Sequence, residues 1–278
     1  AAVTGALVAL ACAAVHALRA APTTYLLDSS ELVATTWPLA VSHAPGHPAY
    51  HLAGFPFTMA PVGGVALRIH LFGVVTTSLA VGLLPWCARQ LGWAGSRGKL
   101  AAAGLIALAI GLSPAFALQS IRAEVYSLNL LTVAVATAAL ATPDWELDVR
   151  RVGVAAVALG VGLLDHHYLV LWTFPAFLVA IISMRGAWVV KARAIATGIS
   201  LGGATLVGYA YLLARGAARP AIGWGWPSSA EDVWWVVSAQ AFQKTAGRAA
   251  DMDVVRTAQN AFGVIAEQMA FAGVSVAL

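Results

Sequence analysis

An all-α integral membrane protein, a polytopic bundle of about eight transmembrane helices, is the fold class the sequence predicts. Three observations carry it. The 278 residues are 60% hydrophobic and only 10% charged, against about a quarter charged in an ordinary globular domain. Apolar runs long enough to cross a bilayer, roughly 17–25 residues, recur along the whole chain. The basic residues fall in short loops that alternate with those runs.

The predicted spans are 2–18, 69–87, 100–118, 125–141, 194–214 and 260–278. Residues 152–184 form a longer apolar stretch divided by "DHHY" at 165–168, and charge decides how to read it. With two crossings there, loops 88–99, 142–151 and 185–193 share one side. That side then holds Arg89, Arg97, Lys99, Arg150, Arg151, Arg185, Lys191 and Arg193, the excess expected of cytoplasmic loops. The short segments opposite, 119–124 and 165–168, hold only Arg122. One long helix would put Arg150 and Arg185 on opposite faces, so two crossings are preferred.

The chain reads as a single transmembrane domain, 1–278, expected to be cut at both ends. Its first outer loop is 22–66, and a second outer loop, 215–253, carries an amphipathic helix. Interfacial helices are expected in both loops. In the second, Ser229 with Asp232 three residues on makes a capping pair, and Trp224, Trp226, Trp234 and Trp235 suit a membrane interface. Net charge is +4, but no basic tract tracks a phosphate backbone, which argues against nucleic acid as a partner. Cys12 and Cys87 lie in apolar runs and read as packing residues.

Ionisable groups near a membrane are costly and mark function. In "DSSE", Asp28 as N-cap and Glu31 at the third helical position form a capping box. Residues three apart also share a helix face, so the same geometry lets two carboxylates converge, one as general base and one as orienter or metal ligand. The segment "SHAPGHPAYH" spaces His43, His47 and His51 by four, but Pro45 and Pro48 break any helix that would stack them as zinc ligands. In "QSIRAEVYSLN", Arg122 offers a planar fork for phosphate oxygens, Glu124 is either its charge partner or a cavity group, and Tyr126 and Asn129 are hydrogen-bonding groups beside it. "LLDHHYL" places Asp165, His166 and His167 at the expected tip of a helical hairpin. All of these fall on the non-cytoplasmic side, and a shared outer cavity unites them.

Taken in order, "DSSEL", "HAPGHP", "SPAFALQSIRAEVYSLN", the polar hairpin tip and "WGWPSSAEDVWWVVSAQAF" resemble the polytopic family related to protein O-mannosyltransferases, within the GT-C class of membrane glycosyltransferases that use lipid-phosphate sugars. The resemblance runs from about Asp28 to Phe242. It implies a catalytic acid in the first outer loop, Asp28, supported by Glu31, with His43, Gly46 and Pro48 shaping that loop. Arg122 and Glu124 belong to the second motif, Trp224, Gly225 and Pro227 to the last. It implies a polyprenyl-phosphate sugar donor, with mannose the expected sugar, and inverting transfer to a hydroxyl of a protein or glycan outside the cytoplasm. A bacterial cytoplasmic membrane with the site facing the periplasm or exterior is the expected location.

Sugar transfer also fits the residues themselves: a carboxylate takes the hydroxyl proton, and Arg122 or an outer histidine meets the departing phosphate. A divalent cation is an open option, since Asp28, Glu31 and Glu124 could supply oxygens, although no metal spacing is evident. Two other classes compete. A transporter would show inverted repeats and midplane charges, and the sequence shows neither; a non-catalytic subunit of a larger membrane assembly is the other alternative.

Overall fold

A bilayer core offers no water, so a spanning segment satisfies its backbone internally. In the computed structural model, which describes residues 1–143, 145–242, 260, 262–264 and 266–267, the answer is helical. No strand occurs among the described residues, only one isolated bridge between Glu146 and Arg185.

The first helix, α1 (Ala2–Arg19), is followed by two short helices, α2 (Asp28–Thr36) and α3 (Pro48–Gly54), and then by α4 (Val65–Gln90). Next come α5 (Arg97–Leu112) and α6 (Pro114–Ser120), bent by 63° at Ser113, then α7 (Tyr126–Leu140), α8 (Val149–Leu171) and α9 (Phe174–Ser183). Finally α10 (Trp188–Thr205) runs through a 3-10 turn at Leu206–Tyr209 into α11 (Ala210–Ala218), and α12 (Ala230–Val237) follows. Lipid supplies no hydrophobic drive between helices, so close contacts rest on small residues and polar bonds. Gly5 meets Gly82 where α1 crosses α4, and at the far end of the same antiparallel pair His70 Nδ1 donates to the Ala21 carbonyl across 2.7 Å.

Four helical stretches are long and apolar enough to cross a membrane: Ala2–Arg19, Val65–Gln90, Val149–Leu171 and Trp188–Ala218; the bent pair α5 and α6 makes a fifth if counted as one span. The expected eight is therefore not reached among the described residues. Helices α7 and α9 are apolar but short, the expected span 260–278 lies mostly outside those residues, and 243–253 of the second outer loop lies wholly outside them.

Basic loops gather at one end. Arg185 N–H donates to the Trp145 carbonyl at 2.7 Å and Leu147 N–H to the Arg185 carbonyl at 3.1 Å, so 142–151 and 185–193 touch. Leu91 lines a common pocket with Ala141, Trp145 and Met184, which brings 88–99 there too. The chain doubles back between Arg150 and Arg185, and "DHHY" is the tip. The backbone leaves helical geometry at His166 (φ −146°, ψ 92°), a methyl on Gly162 would lie 2.7 Å from Val170 Cγ2, and Trp172 and Thr173 keep right-handed helical dihedrals, so the reversal comes at His166.

At the opposite end the two segments expected as outer loops clasp each other. Arg215 donates from Nη2 to the Pro38 carbonyl at 3.0 Å and from Nε to that of Leu39. Tyr211 Oη donates to the Ala40 carbonyl at 2.8 Å, and Trp224 N–H to that of Val41 at 2.8 Å. The Ser229–Asp232 capping box forms as the spacing predicts and starts α12. Gly46 sits in this clasp with φ 88°, and a methyl there would lie 2.7 Å from Leu212 Cδ2. Gly46→Ala should therefore destabilise the protein by about 1–3 kcal/mol, read as a lower unfolding midpoint in detergent, whereas Gly92→Ala, whose added Cβ meets nothing within 4 Å, should show the smaller conformational part of that loss.

Candidate active site

The polar motifs meet where the first outer loop, the "RAEVYSLN" segment and the break in α8 come together. Helix α2 begins at Asp28 with Leu27 as its N-cap and no side-chain cap bond, so the capping box expected of "DSSE" does not form. Leu27 has φ 61° and ψ −141°, which leaves Asp28 as the first helical residue with its side chain pointing out. The Asp28 carboxylate has no hydrogen-bond or ion-pair partner among the described residues. Glu31, one turn on, is committed: Oε1 accepts the His43 backbone N–H at 2.6 Å and Oε2 the ring Nδ1–H at 2.9 Å.

Between α2 and α3 the loop is braced from inside. His51, fully buried, bonds Thr36 Oγ1 through Nδ1 and Ser42 Oγ through Nε2, each at 2.9 Å. Pro48, expected only to break helix, instead occupies the first turn of α3, where its missing N–H costs nothing. His47 precedes it with left-handed dihedrals; its ring is buried, and Nδ1–H donates to the Asp165 carbonyl at 2.6 Å.

That bond fixes the protonation of the histidine pair. With a carbonyl opposite Nδ1, that nitrogen carries the proton and His47 Nε2 is a bare acceptor. It faces His43 Nε2 at 3.4 Å. Two bare nitrogens there would repel, so His43, with Nδ1–H held by Glu31, also carries a proton on Nε2 and donates it to His47. The pKa directions follow. Burial pushes the His43 ring down, but the bond and charge of Glu31, with the charges of Asp28 and Glu124, outweigh it and raise the pKa. For Glu31, burial raises the carboxyl but the bonds and charge of His43 win, and it falls below the usual range. His47 goes well below the ordinary histidine value through burial and then the charge of His43.

Arg122 is set by close packing. A Cβ at Gly73 would lie 2.9 Å from the Ser120 carbonyl oxygen and 3.2 Å from that of Arg122, so α4 admits this segment only because residue 73 is glycine. Ser29 Oγ accepts the Ala123 N–H at 3.1 Å and ties the segment to α2. The guanidinium contacts Glu124 Oε1 and Gln119 Oε1, each at 3.3 Å, lies 5.7 Å from the Tyr25 ring centroid, and keeps its buried Nε–H unpartnered. The pair is buried, not a solvated surface pair. Burial raises the Glu124 pKa, against the Arg122 charge.

The α8 break completes the cluster. Asn129 Nδ2 donates to Asp165 Oδ2, and both side chains are buried, with Asp165 Oδ1 and Asn129 Oδ1 unpartnered. The His166 ring stacks 5.9 Å from His47 and lies 5.8 Å from Tyr126. His167 sits behind, 6.5 Å from His166 and 4.2 Å from Tyr168. Trp224 closes the rim 6.5 Å from His43 and 5.4 Å from Phe242. Every sequence-predicted site residue thus falls in one neighbourhood. Reasoning from the sequence missed Ser29, Tyr25 and Tyr50. Tyr50 is fully buried with its hydroxyl unpartnered, and its position between His47 and His51 was the available signal.

Asp28, Glu31 and His43 each offer an atom that could hold a metal ion, all within 4.8 Å of one another. A divalent cation would use the free Asp28 carboxylate and compete with His43 for Glu31.

Membrane-length helices and, among the described residues, no strand define a polytopic membrane protein, with an acid–histidine–arginine cluster at the end away from its basic loops. Residues 28–189 match the family described as the Protein O-mannosyl-transferase TMEM260 N-terminal domain, and the chain belongs to that family. It is 32% identical over 151 residues to the mouse (Mus musculus) protein named "Protein O-mannosyl-transferase TMEM260", covering 52% of this chain and 21% of that protein. The chain thus spans about a fifth of its curated relative. No solved structure matches it.

The Glu31–His43 pair predicts a pH signature. A histidine pKa raised on folding stabilises fully below the ordinary value of 6.5 and loses that contribution as pH rises through the raised value; the lowered Glu31 stabilises above about 4.5 and loses it on acidification. The stability gap between wild type and His43→Gln should be widest between those limits and shrink above pH 6.5. Thermal unfolding from about pH 5 to 9 checks this, since the buried neutral His47 and His51 cancel in the difference.

Proposed function

We propose that the chain forms the catalytic site of an inverting glycosyltransferase that moves mannose from a polyprenyl-phosphate donor to a protein hydroxyl at the non-cytoplasmic face. The observation that carries this reading is the division of labour in the site: one free carboxylate, Asp28, beside two cations, His43 and Arg122, each neutralised by its own acid. Family membership and the relative's name support the mannosyl and protein parts of it.

In this reading the acceptor O–H gives its proton to Asp28 as its oxygen attacks C1 of the sugar. The C1–O bond to phosphate breaks on the opposite side, the phosphate leaves with the electron pair, and one displacement inverts the anomeric centre. Developing charge on the phosphate is met by the positive charge of His43, whose two ring N–H groups are held by Glu31 and His47, and by the unpaired Nε–H of Arg122; such preplaced charge is worth most where water is excluded. Glu31 positions His43 and is not free to act as base. A divalent cation held by Asp28 and Glu31 would add positive charge at the same place. The donor's prenyl chain has a path in the apolar cavity of about 280 Å³ between α8, α9 and α10, lined by Leu159, Leu163, Phe174, Phe177 and Leu206. Leu163 lies two residues before Asp165.

Asp28→Asn should lower transfer from a labelled polyprenyl-phosphate mannose by roughly 10²–10⁴-fold and leave the unfolding midpoint unchanged, because its side chain holds nothing in place. Undiminished transfer would remove Asp28 from the mechanism. Arg122→Lys should cost activity too, through lost fork geometry.

A further inference from the structure

The basic end carries a second feature. From Arg150 to Asp165 helix α8 covers roughly 22 Å at 1.5 Å per residue, so this end lies most of a hydrocarbon thickness from the site. Helices α8 and α10 run parallel here: Gly153 faces Thr197 and Leu201, Gly198 faces Val152 and Ala156, and Gly202 faces Ala156. That register brings Arg150 and Arg193 to one level. Beside the seam lies an open groove of about 700 Å³, lined by Arg150, Val154 and Val157 of α8, Arg193 and Leu201 of α10, and Val135 of α7.

The neighbouring cations have structural work. Arg151 donates to the carbonyls of Ala139 and Ala141 and lies 3.9 Å from Asp148. Lys191 donates to the Ile182 carbonyl and lies 5.2 Å from the Trp188 ring centroid. Asp148 also accepts the Arg150 backbone N–H at 2.8 Å. Neither the Arg150 nor the Arg193 side chain has a hydrogen-bond or ion-pair partner among the described residues. Below them the walls are apolar and open, with Val154 53% and Leu201 42% exposed.

We propose that this groove binds an anionic glycerophospholipid, its phosphate between Arg150 and Arg193 and one acyl chain along Val154, Val157 and Leu201. Charge and shape select that ligand. Two uncompensated guanidinium groups at one level call for an anionic head, and paired arginines suit phosphate oxygens. The apolar trough descending from them calls for a hydrocarbon tail, and basic pockets between spanning helices bind such headgroups. The site is independent of sugar transfer.

The test is native mass spectrometry of the full chain in detergent, titrated with phosphatidylglycerol or phosphatidylcholine. Phosphatidylglycerol should bind in preference, and Arg150→Gln/Arg193→Gln should weaken it by at least about tenfold, from two surface cations. Arg97→Gln/Lys99→Gln, away from the groove, should leave binding unchanged. Should the double variant fold poorly, Val157→Trp, which keeps both arginines and fills the trough, should displace the lipid. Equal binding of both lipids, full retention by the double variant and by Val157→Trp, loss in the Arg97/Lys99 control, or displacement by inorganic phosphate alone would each overturn the proposal.

Discussion

The hydrogen bond from His47 Nδ1 to the Asp165 carbonyl is the constraint on which the site depends. A helix interrupted at His166 leaves backbone carbonyls without their usual N–H partners, and in a dry interior such groups must be satisfied. His47 satisfies one from a loop more than a hundred residues away. In doing so it joins the first outer loop to α8, fixes its own tautomer, and turns a bare nitrogen toward His43. The chain Glu31–His43–His47–Asp165 follows from that one contact.

Electrostatics explains why the cluster holds together at a membrane boundary. Charges out of water are costly alone and tolerable in pairs. His43 is paired with Glu31 and Arg122 with Glu124, so the two cations do not stand as uncompensated charge. Asp28 is the exception, and it is exposed, where an unpaired carboxylate is affordable. The arrangement leaves one carboxylate, Asp28, and one buried N–H, Arg122 Nε, without partners among the described residues. At the opposite end the basic loops repeat the logic differently, with Arg151 and Lys191 capping helix carbonyls.

Much of this was legible in the sequence because polar residues in an apolar chain stand out. The motifs around Asp28, His43, Arg122, Asp165 and Trp224 converge as their placement at helix ends implied, and the basic loops share an end as their charge required. The Ser229–Asp232 pair capped a helix where expected, while the similar "DSSE" did not. The difference lies in Leu27, whose backbone takes the capping position, and no spacing rule reveals that. The polar "DHHY" reads as a hairpin tip because polarity usually marks a turn, and the chain does reverse at His166, with the buried Asp165 side chain bonded to Asn129 of α7 and its carbonyl to His47. At most five membrane-length stretches stand among the described residues, because α7 and α9, though apolar, are shorter than a bilayer requires.

The central claim is that the acid–histidine–arginine cluster is where a lipid-linked phosphate meets its acceptor. A structure of the protein with a bound polyprenyl-phosphate sugar analogue tests it most directly. The account predicts phosphate oxygens within hydrogen-bonding reach, about 2.7–3.2 Å, of Arg122 and on the side of the His43 ring, with the sugar C1 turned toward Asp28 and the prenyl chain entering beside Leu163. A phosphate seated instead at the Arg150–Arg193 end, with the outer cluster untouched, would contradict it.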